Sequence, residues 1–183
     1  MKRRGLIIII IAAVAVLVIA ACTLVLTGVI KIKWKKDASP ALSKPVAYIE
    51  YMHSFMLLDK DLNVTGSTTA APTDIPKVTG LSFDKIVVGS HLDVKNPETA
   101  KYAMKLVDCI HKSSLEIAEV YVSADQTATM YVGDIKILMG VDESTEEKMH
   151  DLRDFFDDVK GLNGVLDMQE LSKNNLGYSF KTN

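Results

Sequence analysis

Asp59-Lys60-Asp61-Leu62-Asn63 sets oxygen-bearing side chains at alternate positions, like the opening half of a calcium loop, so hard-cation coordination is the first chemistry to consider. Such a loop needs glycine at its sixth position and a bidentate acid at its twelfth, where this chain has Val64 and Ala70. A hairpin turn built on Asp and Asn side chains is the expected structure instead. The four histidines, His53, His91, His111 and His150, lack the short spacings of a metal site. Gly89-Ser90-His91 lacks the second glycine of a nucleophile elbow. Cys22 lies in an apolar run and Cys109 in a predicted helix, so neither belongs to a disulfide framework, and a free buried thiol is expected at Cys109. No catalytic, metal or cofactor residue emerges, and no enzymatic activity is expected.

The elements that must carry some other function begin with residues 5–30, which are 26 positions without a charge. As an α-helix they extend about 39 Å, enough to cross the hydrocarbon core with some tilt. Lys2, Arg3 and Arg4 precede the run, and Lys31, Lys33, Lys35 and Lys36 follow it, with Trp34 placed as an interfacial anchor. Those seven are a third of the chain's 21 basic residues, whereas all 23 acids lie later, which leaves the remainder at −9. That balance argues against a nucleic-acid surface.

The expected organisation is a cytoplasmic tail (1–4), a transmembrane helix (5–30), a juxtamembrane linker (31–43) and one extracytoplasmic domain (44–183). The cations flanking the run nearly balance, and the four-residue tail resembles the n-region of an export signal, which favours the outward orientation. Ile19-Ala20-Ala21-Cys22 also resembles a bacterial lipobox, whose cysteine is acylated. The apolar run continues to Ile30, which favours an uncleaved span.

Within the domain, residues 45–51, 55–58 and 62–65 read as three short strands joined by turns. Residues 66–73 read as a loop, 75–81 as an extended segment, and 86–89 as a short apolar stretch. Asn96-Pro97-Glu98 supplies an N-cap, a proline at the first helical position and an acid in the first turn, predicting a helix to about His111. Residues 115–122, 127–132 and 135–139 alternate as an antiparallel meander with a turn at Gly133-Asp134.

Ser144 and Glu147 have the form of a capping box opening a helix to about Lys160, with Met149, Leu152, Phe155, Phe156, Val159 and Leu162 recurring at helical spacing. Its charged residues, Lys148 among them, are read as a solvated face. Strands over 164–171 and 176–181 complete the domain. The fold class is thus α+β, with one N-terminal transmembrane helix followed by a mainly antiparallel sheet and two main helices.

Pro45-Val46-Ala47-Tyr48-Ile49-Glu50, the Leu57-Leu58-Asp59 hairpin and Ile75-Pro76-Lys77-Val78-Thr79-Gly80 resemble the bacterial cell-division proteins of the FtsQ/DivIB family. The helix after Asn96, the meander ending at Gly140, Glu146-Glu147-Lys148 and Gly164-Val165-Leu166-Asp167 follow in the order of that family's extracytoplasmic β domain. Asp37 to Ser43 leave no room for the small POTRA module such proteins place before it, and Gln169 and Glu170 stand where many members have basic and aromatic residues.

The resemblance implies a non-enzymatic divisome scaffold in the bacterial cell membrane, at the division septum, that binds single-span FtsB/DivIC-like and FtsL-like partners. The last strand is the expected partner site, through Leu176, Tyr178, Ser179, Phe180 and Lys181, because a strand at a sheet edge offers unpaired backbone groups to an incoming strand. Burial of Tyr178 and Phe180 in the core accounts equally well for their alternation. The competing class is a membrane-tethered or lipid-anchored binding or stress-response module outside the divisome.

Overall fold

The computed structural model describes residues 43–170 and 177–182, all within one compact unit, Ser39–Asn183. The segment read as a transmembrane helix, residues 5–30, and the lipobox cysteine Cys22 lie outside the described residues.

Among the described residues the chain runs β1 (Ala47–Tyr51), β2 (Ser54–Leu58), β3 (Val64–Thr68), β4 (Lys77–Thr79), α1 (Pro97–Ser113), β5 (Glu119–Val122), β6 (Ala128–Val132), β7 (Ile135–Gly140), α2 (Thr145–Val159), β8 (Gly164–Asp167) and β9 (Ser179–Thr182). These nine strands form one sheet in the order β3-β2-β1-β4-β5-β6-β7-β8-β9.

Two corrections to the expected fold class follow. The sheet is mixed: β4 runs parallel to both β1 and β5, and β7 runs parallel to β8. Alternation reports which face a residue occupies and says nothing of its neighbour's direction; the β4–β5 and β7–β8 pairs are made by the α1 and α2 crossovers, and the β1–β4 pair forms when the chain returns past β2 and β3. The other concerns the leading span, since no helix among the described residues is long and apolar enough to cross a membrane.

Cross-strand register explains the core. Ile49, Val78, Val120, Met130, Ile137 and Leu166 point to one face of the sheet and are all buried. Helices α1 and α2 pack against each other, and their buried residues join the same apolar cluster. Complete burial of one such side chain stabilises by about 1.5–3 kcal/mol. The opposite face carries Lys77, Glu119, Tyr131, Lys136 and Val165 as neighbours across five strands, none of them buried.

Helix α1 begins as its sequence dictates. The Asn96 side-chain oxygen accepts from the Glu98 and Thr99 N–H groups at 3.2 and 3.3 Å, and Pro97 occupies the first turn without losing a needed donor. Cys109 is a buried free thiol, and burial pushes its pKa up.

Helix α2 departs from expectation. Ser144 sits in the left-handed region and makes no side-chain cap, so the capping box does not form. Just ahead of the helix, Asp142 accepts from the Thr145 hydroxyl at 2.8 Å and pairs with Lys105 of α1 at 2.7 Å.

The Asp59 turn is a hairpin turn, and its carboxylate is the hub. Only 3% exposed, it accepts from the Asp61 and Asn63 N–H groups, the Asn63 amide and the Ser43 hydroxyl. Burial works to raise its pKa, but these hydrogen bonds outweigh burial and hold it below the usual carboxylate value. Asp59 therefore contributes stability that is fully present above its unfolded pKa of about 3.9 and is lost as pH falls through its lower folded value. Asp59→Ala is expected to cost about 2–3 kcal/mol at neutral pH. Urea denaturation at stepped pH checks this, and a parent-to-variant difference that persists in strong acid would contradict it.

Candidate functional site

The strand expected to receive a partner is the last in the sheet order, with no described strand beyond it. It pairs antiparallel with β8 through Gly164↔Thr182, Val165↔Lys181, Leu166↔Phe180 and Asp167↔Ser179. Phe180 shares the helix-side face with the buried Leu166 and packs against the core cluster. Ser179 and Lys181 are exposed and lie on the face without helices, in register with Asp167 and Val165. Leu176 lies outside the described residues.

Tyr178, just ahead of β9, turns towards its own domain. Its hydroxyl donates to the Asp151 carboxylate at 2.7 Å, and its ring lies 5.9 Å from that of Phe155. Burial and then the Asp151 carboxylate push its pKa well up, so it stays a protonated donor. Of the named side chains, then, Tyr178 and Phe180 hold the strand in place, while Ser179 and Lys181 face outward.

Helix α2 positions this edge from two points. Asp151 and Phe155 secure the approach to β9. One turn earlier, Lys148 secures the exit from β8, its ammonium donating to the Met139 carbonyl at 2.8 Å and the Gln169 carbonyl at 2.9 Å. Lys148 is 2% exposed, so its assignment to a solvated face is corrected. The signal was present in the spacing, because Thr145, Lys148, Met149, Leu152, Phe156 and Val159 form one helical stripe and all are buried. A lysine's long stem can follow such a stripe and deliver its charge to carbonyls at the far side.

Gly164 lets β9 approach closely. A Cβ there would stand 2.3 Å from the Lys181 carbonyl oxygen and 2.9 Å from the Phe180 ring. The edge is a short strand tied down by Gly164, Tyr178 and Lys148, and among the described residues no strand pairs with its outer row of backbone N–H and C=O groups.

Among the described residues no group of three His, Cys, Asp or Glu is placed to hold a metal. His111 Nε2 lies 2.8 Å from the Val46 carbonyl, tying α1 to the approach of β1, and His150 lies 3.6 Å from Asp154 on α2. His53 and His91 are exposed at separate turns. The arrangement offers strand addition and side-chain contact. No protein-family model and no curated protein matches the chain.

Proposed function

We propose that the chain is a non-enzymatic scaffold of the bacterial divisome, held at the cell membrane through its charge-free N-terminal segment, with its domain on the extracytoplasmic side. It links FtsB/DivIC-like and FtsL-like partners during septum formation, and β9 accepts a strand from one of them. The observation that carries the reading is the terminal position of β9 in the sheet, joined to the family resemblance of the sequence. An edge strand recognises a partner chiefly through main-chain hydrogen bonds, with alternate side chains giving specificity. Here Ser179 and Lys181 supply those side chains on the open face.

Proline scanning of the edge tests this. Successive strand residues aim their N–H groups alternately towards and away from the neighbouring strand. Ser179 and Thr182 are both exposed and three apart, so one N–H points to β8 and the other outward. Of Ser179→Pro and Thr182→Pro, the variant that keeps the parent's unfolding midpoint is the one that lost the outward donor. That variant is expected to bind a DivIC-like partner about tenfold more weakly in a pull-down titration. Unchanged binding by it would refute β9 as the partner site.

A further inference from the structure

Residues 86–89, expected as a short apolar stretch, form an outward turn. Val87 and Val88 are 51% and 53% exposed, and the Ser90 N–H closes the turn on the Val87 carbonyl at 3.1 Å. Isolated exposed valines are ordinary. These two are distinguished by where they stand.

Hydrogen bonds tie the tip to the place where the described chain begins. The Gly89 N–H donates to the Val64 carbonyl at 2.7 Å, and the Val64 N–H to the Ser90 carbonyl at 2.9 Å. The neighbouring Asn63 N–H donates to one Asp59 oxygen at 2.8 Å, and the Ser43 hydroxyl donates to the other. Ser43, Lys44 and the valine tip thus share one end of the sheet. Lys60 and Lys95 pair there with Asp61 and Asp84, while Lys44 and Lys85, both exposed, form no ion pair among the described residues. Asp93, also exposed, is an acid of the same loop outside these pairs.

We infer that this end of the domain rests on the lipid bilayer, with Val87 and Val88 inserted at the headgroup boundary and Lys44 and Lys85 against lipid phosphates. The inference rests on the proposal that the chain is held at the membrane. Residues 31–42 separate the charge-free run from Ser43, and such a stretch reaches at most about 43 Å. The tip therefore meets the bilayer at high effective concentration, where weak insertion suffices. A lipid surface fits better than a protein partner, because two side chains on a convex tip fall far short of the roughly 800 Å² per side of a stable protein interface. Lipid accepts them without a complementary shape.

The test uses the full chain carrying Cys22→Ala and Cys109→Ala, with an environment-sensitive NBD fluorophore on Val88→Cys or, as the control, on Ser179→Cys. The protein is reconstituted into phosphatidylcholine vesicles with or without phosphatidylglycerol. A blue-shifted emission at position 88 that doxyl-labelled lipid quenches is expected, stronger with phosphatidylglycerol, reduced by Lys85→Glu and absent at position 179. Protein that floats with the vesicles but shows no shift at position 88 overturns the docking and leaves the membrane-held reading standing. Protein that fails to float overturns both. Thermal unfolding of each labelled variant, matched to the parent, confirms that the fluorophore reports on the folded domain.

Discussion

Gly80→Ala is expected to lose about 3–5 kcal/mol of stability. Gly80 follows β4, has φ +88°, and lies so close to β5 that a Cβ would stand 1.9 Å from the Val122 carbonyl oxygen and 2.8 Å from its carbonyl carbon. Both obstacles are backbone, so no side-chain rotation relieves them. The left-handed conformation adds a cost of about 1–2 kcal/mol for any residue with a Cβ. Strand β4 has only three residues and joins β1 to β5 through parallel pairing on both sides, so its displacement opens the middle of the sheet. Gly89→Ala is the matched control: φ is similar at +86°, but nothing lies within 4 Å of the added methyl, leaving the conformational cost alone. Urea denaturation of the two variants separates steric from conformational terms. Equal midpoints would mean that the close approach to Val122 contributes nothing.

The same short strand shows where the sequence was legible and where it was not. β6 and β7 announce themselves by alternation and the Gly133-Asp134 turn, β1 and β2 by β-branched and aromatic residues between turns, and α1 by Asn96-Pro97-Glu98, because those signals are local. Lys77-Val78-Thr79 gives only one buried side chain. Its placement between β1 and β5 depends on contacts with residues about 30 and 40 positions away, such as Lys77 with Tyr48 and with Glu119. Parallel neighbours of that kind leave no periodic trace, so a mainly antiparallel sheet was the natural expectation. Ser144 fails for a related reason: a capping box can be written in sequence, yet the chain enters α2 with Ser144 in the left-handed region, beside an Asp142 held by Lys105 of the other helix and by the Thr145 hydroxyl.

For the candidate edge, the alternation of Tyr178, Ser179, Phe180 and Lys181 located the strand without revealing which side chains face outward. Register with Leu166 turns Phe180 inward, and Asp151, 27 residues earlier, claims the Tyr178 hydroxyl. These are long-range facts. The exposure of Val87 and Val88 likewise depends on Val64 holding Gly89 and Ser90, which an apolar run of four residues does not disclose.

Replacing Lys148 by methionine, which keeps the unbranched stem but ends one atom short of the ammonium, is expected to cost about 2–4 kcal/mol, because the Met139 and Gln169 carbonyls lose their shared donor. Lys148→Ala is expected to cost more, since it leaves a cavity as well. Burial holds the Lys148 pKa below its usual value, with Glu143 and Asp167 only partly opposing the shift. The unfolded chain therefore binds more protons than the folded one between the depressed folded value and about 10.4. Through this residue, stability rises with pH across that window, and the gap between parent and Lys148→Met should widen as pH increases. A gap that narrows instead would show that the two carbonyls favour the ammonium more than burial penalises it. Because Gln169 lies on the path from β8 to β9, the same variant should also loosen the last strand, seen as faster amide hydrogen exchange at residues 179–182 than in the central β6. Under the scaffold reading that loosening weakens partner binding even at pH values where the domain remains folded, linking the buried lysine on α2 to the exposed edge of the sheet.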